Sequence, residues 1–151
     1  MPLAVALATL RAHLPQGATL VGQSISTDIK WLGLKEGTDF AGLIDLAGLY
    51  RVWNTQYKSW SVFGQEHVCR ILLGIDEHTE AHNALTDAVK SVKLYNLHSR
   101  LQAGGEAGWA AAQQSLLATP PHPSFARRFP TFEGVCMGNK KTCQCGAPFA
   151  F

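Results

Sequence analysis

The chain has 151 residues, of which 46% are hydrophobic and 16% are charged, and its mean hydropathy is zero. This length and composition fit one packed domain, and they exclude an intrinsically disordered chain and a membrane protein. No stretch approaches the ~18 consecutive apolar residues of a membrane-spanning helix. The basic residues of the first segment follow its apolar run, unlike those of a secretory signal. We therefore expect an intracellular protein of the cytoplasm or nucleus.

Helices and short apolar strands alternate along the first half of the chain. Leucines and alanines at helical spacing, followed by Pro15 and Gly17, predict a first helix that ends before residue 18. Two short apolar runs bounded by turn residues predict buried strands. The predicted elements are helices over 3–14, 29–34, 47–54 and 59–74, and strands over 18–23 and 42–46.

A long amphipathic helix is predicted over residues 80–102, where apolar residues trace one face and Gly104 follows the last turn. The order of these elements implies parallel strands joined by crossover helices, which is an α/β arrangement. A short Ala-rich helix and a Pro-rich connector follow. We therefore divide the chain into a domain at 1–103, a short helix at 104–119 and a tail at 120–151.

The charge of the chain is unevenly distributed. The whole sequence carries 13 Lys and Arg and 11 Asp and Glu, a net charge of +2. Residues 120–151 carry four basic residues against Glu133 alone, a net charge of +3. A basic tail suits a polyanion, because neutralised phosphates release counterions, although many basic tails bind nothing in particular. The candidate phosphate contacts are Arg127, Arg128, Lys140 and Lys141.

Asp28, His82 and Asp87 lie where the ends of predicted elements meet. Asp28 follows the first predicted strand, and His82 and Asp87 lie around the start of the long helix in the spacing H-x4-D. Open α/β sheets bind ligands at the carboxyl ends of their strands, so both acids are expected at one site. Taken singly, an Asp at a helix start is commonly only an N-cap, and a His beside one is commonly a solvated surface residue.

The surrounding residues resemble motifs of the DEDDh 3′→5′ exonucleases, a family that includes polymerase proofreading subunits and oligoribonucleases. The resemblance covers about residues 3–102. The family's second motif is a strand ending in V-G-H-N with a metal-binding Asp shortly after it, and its third motif is A-H-x-A-L-x-D-A. The four places of V-G-H-N are filled here by Val21, Gly22, Gln23 and Ser24, with Gln and Ser in place of His and Asn, and Asp28 is the acid. The third motif is matched by Ala81, His82, Ala84, Leu85, Asp87 and Ala88. Of these, Gln23 and Ser24 would contact the nucleic acid.

The resemblance implies a ribonuclease H-like fold and two-metal hydrolysis of RNA or single-stranded DNA from the 3′ end. Asp28 and Asp87 would be two of the four carboxylates that hold Mg²⁺ or Mn²⁺, since both ions prefer oxygen ligands. His82 would be the general base, because imidazole titrates near neutrality. His78 is a neighbouring alternative that lacks the H-x4-D spacing.

The family's first motif, an Asp-x-Glu pair on the first strand, has no counterpart in these 151 residues. The sequence therefore predicts a ribonuclease H-like fold that lacks its first three strands, with the apolar edge of strand 18–23 left unpaired. Three explanations fit. The chain is a fragment of a complete exonuclease, which is the interpretation we favour. Otherwise another polypeptide supplies the missing strands, or the chain is a catalytically inactive nucleic-acid-binding or scaffolding module.

Three of the four cysteines lie in the tail, in the spacing C-x6-C-x-C. Thiolate and imidazole groups are ligands of tetrahedral structural zinc, so Cys136, Cys143 and Cys145, with His122 upstream, form a candidate zinc site. Reduced, exposed cysteines in a flexible tail are the alternative. The fourth cysteine, Cys69, lies in an apolar stretch and is expected to be buried.

Overall fold

The computed structural model describes residues 2–15, 17–76, 83–123, 127, 129–132, 134–138 and 141–148. The chain divides into two compact units, Met1–Thr119 and Pro120–Phe151. The first unit contains α1 (Leu3–His13), β1 (Thr19–Gly22), α2 (Ser26–Leu32), β2 (Gly42–Asp45), α3 (Leu46–Leu49), β3 (Val52–Asn54), β4 (Ser59–Ser61), α4 (Gln65–Val68), which continues as a π-helical segment (Cys69–Leu73), α5 (Ala84–Ala103) and α6 (Glu106–Ala118). Helices alternate with parallel strands, which confirms the α/β class. No helix in the described residues is both long and apolar enough to span a membrane.

β1 and β2 form a parallel sheet in which Thr19 pairs with Gly42 and Gly22 pairs with Asp45. Both predicted strands are present. β1 is one residue shorter than predicted at each end, and β2 is one residue shorter at its C-terminal end. Both are mostly half-buried, so the prediction of buried strands is confirmed only in part. The two strands end at the same level, so the loops that leave them begin side by side. In the part of the chain that the structure describes, no third strand joins this sheet. α5 packs against β1.

The predicted helices over 47–54 and 59–74 are wrong in part. α3 ends after four residues, and β3 and β4 then pair as an antiparallel hairpin with Trp53 opposite Trp60. Asn54 initiates the turn, because its side-chain oxygen accepts hydrogen bonds from the backbone N–H groups two and three residues further on. The aromatic and β-branched residues of this stretch favour a hairpin over a helix. α4 begins only after the hairpin.

The core of the first unit lies where α3, α4, α5 and α6 converge. The hydroxyl of Tyr50 donates a hydrogen bond to the carbonyl of Leu94 at 2.7 Å. The ring of His67 is also buried, with Nε2 3.1 Å from the carbonyl oxygen of Leu116, so α6 is part of this core. Cys69 is fully buried, as the sequence predicts. The buried cluster comprises Leu46, Tyr50, Val52, Val68, Cys69, Leu94 and Leu116.

The second unit is built around a short hairpin of β5 (Thr131–Phe132) and β6 (Val135–Cys136). The turn contains Gly134, whose φ of 78° lies in the left-handed region that favours glycine. The backbone N–H of Cys136 donates to the carbonyl of Pro148 at 2.7 Å, and that of Met137 donates to Pro130 at 3.1 Å. These bonds tie the hairpin to the chain on both sides. The sequence predicts only an extended connector where β5 lies.

Candidate functional site

One carboxylate joins the loops that leave β1 and β2. Asp45 Oδ1 accepts hydrogen bonds from the backbone N–H groups of Ser24 and Ala47, both at 2.9 Å. The first bond holds Ser24, which has a φ of 52°, and the second caps α3. Asp45 therefore has a structural role at the strand ends.

The turn after β1 positions Asp28. A Cβ added to Gly22 would lie 2.9 Å from Cδ1 of Ile25, so this turn needs glycine. Gln23 is half-buried, and its side-chain amide donates to the carbonyl of Phe63 at 3.0 Å. Asp28 lies in the first turn of α2 with an exposed side chain. Its carboxylate is therefore accessible to a ligand.

Asp87 lies in the first turn of α5, whose N-terminus is capped by the side chain of Asn83. Gln65 of α4 donates to the backbone carbonyl of Asp87 at 3.0 Å and to the hydroxyl of Ser91 at 2.8 Å, which fixes the start of α5. The Asp87 carboxylate is half-buried and forms an ion pair with Lys90, with Nζ and Oδ1 3.6 Å apart. A cation bound by Asp87 would have Lys90 as a competing neighbour.

The structure places the two predicted metal ligands on helices that adjoin one strand. Asp28 is on α2, which follows β1, and Asp87 is on α5, which packs against β1. The predicted base His82 and its neighbour His78 lie outside the described residues. The described part of the arrangement therefore consists of two accessible carboxylates.

The predicted nucleic-acid contacts fall into three groups. Ser24, Arg127 and Lys141 are exposed. Arg128 and Lys140 lie outside the described residues. Gln23 has its amide donor already bonded within the protein, so it contributes to the loop after β1.

The three cysteines of the second unit lie together. Their sulfur atoms are all within 4.8 Å of one another, and among the described residues His122 is not part of this group. The thiol of Cys136 donates to the sulfur of Cys143 at 3.2 Å. Burial, and then the Cys143 thiol, raise the pKa of Cys136 to about 11. The backbone N–H of Cys145, followed by the Cys136 thiol, lowers the pKa of Cys143.

The β3–β4 hairpin carries an aromatic surface that the sequence does not predict. The rings of Trp53 and Trp60 meet edge to face with centroids 5.5 Å apart, and the guanidinium of Arg51 lies 4.5 Å from the Trp60 centroid. Both tryptophans are about half exposed, and Tyr57 in the turn is 70% exposed. The available signal is the turn-forming Asn54 between two tryptophans at matching distances.

A cleft of about 430 Å³ opens between α1 and the loop before β2. Its charged lining groups are Arg11 and Asp39, which form an ion pair with Nε and Oδ1 2.9 Å apart. The backbone N–H of Lys35, and also the Arg11 guanidinium, lower the pKa of Asp39. None of the predicted site residues that the structure describes lines this cleft.

Comparison with known proteins gives one informative match in structure. Neither a protein-family model nor a curated protein sequence matches this chain. A solved structure, the Neurospora crassa Pan2 catalytic unit (protease and nuclease domain), matches 80% of this chain with a TM-score of 0.62 and 17% sequence identity. The chain resembles part of Pan2 in its fold. It covers 18% of the Pan2 chain, and the predicted resemblance is confirmed at the level of the fold.

Proposed function

We propose that this chain carries the second half of a DEDDh-type 3′→5′ exonuclease domain, which hydrolyses RNA or single-stranded DNA. The observation that carries the proposal is the placement of Asp28 and Asp87 on two helices that adjoin β1. Their order follows the family's second and third motifs, and their flanking residues match these motifs except at Gln23 and Ser24. The likeness in fold to a catalytic unit that includes a nuclease domain supports it.

Asp28 and Asp87 would hold Mg²⁺ or Mn²⁺ through carboxylate oxygens, which both ions prefer as ligands. Asp28 is exposed and Asp87 is half-buried, so both carboxylates are open to a cation. A bound pair of such ions stabilises the attacking and the leaving oxygen of a phosphodiester. By the H-x4-D spacing, His82 would take the proton of the attacking water.

The other two carboxylates would come from an Asp-x-Glu strand, which these 151 residues do not contain. In the described part of the chain, β1 pairs with β2 on one edge and with no strand on the other. Leu85, Val89 and Val92 form an exposed apolar stripe on α5, the helix that packs against β1. An open strand edge and an apolar stripe are the surfaces that added strands cover. We propose that a segment of a longer form of this protein supplies the added strands and the two carboxylates, giving a complete ribonuclease H-like fold.

The proposal is tested by comparing this chain with one extended by its upstream coding sequence, on end-labelled single strands with Mn²⁺. We expect the extended protein to shorten the strands from the 3′ end. Asp28→Asn and Asp87→Asn should each remove cleavage without unfolding the protein. Glu106→Gln, an exposed acid on α6, is the matched control and should keep activity. Cleavage that survives in both aspartate variants contradicts the proposal.

A second candidate function is single-strand binding without catalysis, and the β3–β4 hairpin favours it. Exposed aromatic rings provide stacking surfaces for unpaired bases, and this stacking tolerates any sequence. Trp53 and Trp60 present such rings, and Arg51 adds a positive charge beside them. This surface lies outside the motifs that define the exonuclease, so it can bind a strand in a chain that does not cut.

Binding by the hairpin is measured by fluorescence anisotropy of a labelled oligonucleotide without divalent metal. Trp60→Ala should weaken binding by roughly 5- to 100-fold, which corresponds to ~1–3 kcal/mol for one stacked base. Val62→Ala, an exposed and neighbouring apolar change without a ring, is the matched control. Equal affinity of Trp60→Ala and the wild type would exclude the hairpin as the binding surface.

A further inference from the structure

The cysteine group of the second unit forms around the end of β6. Cys136 is the last residue of that strand, and it is buried, whereas Cys143 is half-buried and Cys145 is exposed. The chain returns after Cys136, so that all three sulfur atoms lie within 4.8 Å of one another. The bond from the N–H of Cys136 to the carbonyl of Pro148 holds this return in place. A backbone hydrogen bond therefore supports the arrangement that brings the three thiols together.

We propose that Cys136, Cys143 and Cys145 bind one structural Zn²⁺ through their sulfur atoms, with an exchangeable fourth ligand. Zinc lies about 2.3 Å from each thiolate in a tetrahedral site, which separates the sulfur atoms by about 3.8 Å. The observed sulfur atoms are close enough to share one ion, with Cys136 and Cys143 at 3.2 Å and all pairs within 4.8 Å. Small side-chain movements are enough to accommodate the ion.

Gly138 supplies two independent features that suit thiolate ligands. Its backbone N–H donates to the sulfur of Cys136 at 3.3 Å, and a hydrogen bond of this kind stabilises a thiolate. A Cβ at this position would lie 3.0 Å from the sulfur and 3.1 Å from the Cβ of Cys143. A side chain at residue 138 would therefore crowd Cys143 and push it by a few tenths of an ångström.

The size of the second unit explains why it would need a metal. Among the residues of this unit whose burial the structure describes, only Cys136 is buried, so those residues form almost no apolar core. Units below about 40 residues usually depend on a metal, a disulfide or a partner for stability. A zinc ion held by Cys136, Cys143 and Cys145 would join the β5–β6 hairpin to the segment that follows it.

The structure separates this site from the predicted one that includes His122. Among the described residues, the group that can share one ion contains the three cysteines and not His122. Because Cys145 is exposed, solvent can reach the ion and supply the fourth ligand. The proposal therefore predicts that the imidazole of His122 is dispensable for metal binding.

The test is elemental analysis of the full chain, purified with reductant and desalted to remove loosely bound metal. We expect one zinc per chain in the wild type and its loss in Cys136→Ser, Cys143→Ser and Cys145→Ser. Cys69→Ala, which changes the cysteine of the other unit, is the matched control and should retain zinc. His122→Ala should retain zinc as well. Zinc that is absent from the wild type, or unchanged in Cys143→Ser, overturns the proposal.

Two further measurements protect the result against misfolding of the serine variants. Cobalt added to the metal-free wild type should produce thiolate-to-metal charge-transfer absorption, and none should appear in Cys143→Ser. Gly138→Ala keeps all three thiols, yet its added Cβ should lower zinc affinity roughly 10- to 100-fold in a chelator competition, the usual effect of changing an outer-shell group. Unchanged zinc affinity in Gly138→Ala contradicts the proposed site. So does a disulfide between two of the three cysteines in wild-type protein purified with reductant. None of these readouts depends on nuclease activity.

Discussion

The two units of the chain are stabilised in different ways. Met1–Thr119 buries a cluster of large side chains, with Tyr50, Leu94 and Leu116 almost fully removed from solvent. The described residues of Pro120–Phe151 bury only Cys136. The first unit is therefore stabilised by hydrophobic burial, whereas in the second we propose that a zinc ion adds to the backbone bonds.

The two proposed metal sites also differ in how their ligands are brought together. Asp28 and Asp87 come from helices that are separated in sequence and brought to β1 by the core, and the resemblance requires two more carboxylates. The three cysteines come from a single stretch of ten residues, 136–145, and already lie together. The acid site thus depends on the fold of the first unit and on further sequence. The cysteine site depends on local turns.

The largest expected effect is on the core of the first unit. Leu94→Ala removes a fully buried side chain, which should lower the free energy of unfolding by about 2–5 kcal/mol. Urea denaturation followed by tryptophan fluorescence measures it. Val92→Ala on the same helix is 56% exposed in the wild type and should cost less than about 0.5 kcal/mol. Zinc content should stay the same in both variants. Loss of zinc in Leu94→Ala would show that the second unit depends on the core of the first for its metal site.

The turn that leads to Asp28 should show the next largest effect. Gly22→Ala places a Cβ 2.9 Å from Ile25, so overpacking should cost about 1–3 kcal/mol. Gly48→Ala, where a Cβ would meet nothing within 4 Å, should be neutral or slightly stabilising. Thermal unfolding compares the two. Equal melting temperatures would show that the turn tolerates a side chain at residue 22.

Tyr50 gives the first unit a dependence on high pH. Burial raises the pKa of Tyr50 to about 12, above the ~10 of an unfolded chain, so its contribution to stability is present below pH ~10 and declines as the pH rises towards 12. Tyr50→Phe removes the hydrogen bond to Leu94 and should cost about 0.5–1.5 kcal/mol near neutrality. The difference in unfolding free energy between wild type and variant should therefore shrink above pH ~10. A difference that stays constant to pH 12 would contradict this role.

The smallest expected effect concerns metal binding at the proposed site of Asp28 and Asp87. Lys90 pairs with Asp87 at 3.6 Å, so Lys90→Met should raise the affinity for Mn²⁺ by roughly 2- to 5-fold, because it removes the positive charge beside a partly exposed carboxylate. Isothermal titration measures it. Lys93→Met is the matched control on the same helix and should leave the affinity unchanged. An unchanged affinity in Lys90→Met would show that this ion pair does not compete with the metal.

The sequence predicts the parts of the fold whose signals are local. β1 and β2 are short apolar runs bounded by turn residues, and these runs become paired, mostly half-buried strands. The β3–β4 hairpin is harder to predict, because residues 47–54 carry helical spacing together with the strand-forming pair Val52 and Trp53. Pairing between Trp53 and Trp60 decides the outcome, and it depends on a contact across the turn.

At the candidate sites, too, the sequence predicts the local motifs but not the contacts that form on folding. The motifs around Asp28 and Asp87 are readable in sequence, whereas the ion pair with Lys90 and the bond from Gln65 appear only in the structure. The spacing of the cysteines predicts a metal site but leaves its ligand set open. The close approach to Gly138 is a property of the folded turn, so no spacing rule predicts it.

One metal analysis most directly tests the contrast between the two proposed sites, the incomplete carboxylate site of Asp28 and Asp87 and the cysteine site of the second unit. The 151-residue chain is equilibrated with Zn²⁺ and Mn²⁺ together, desalted, and its metals are measured per chain. We predict one zinc, held by Cys136, Cys143 and Cys145, and far less than one manganese, because Asp28 and Asp87 would supply only half of the carboxylates of the proposed site. A chain that keeps two manganese ions, or that keeps no zinc, would contradict the account.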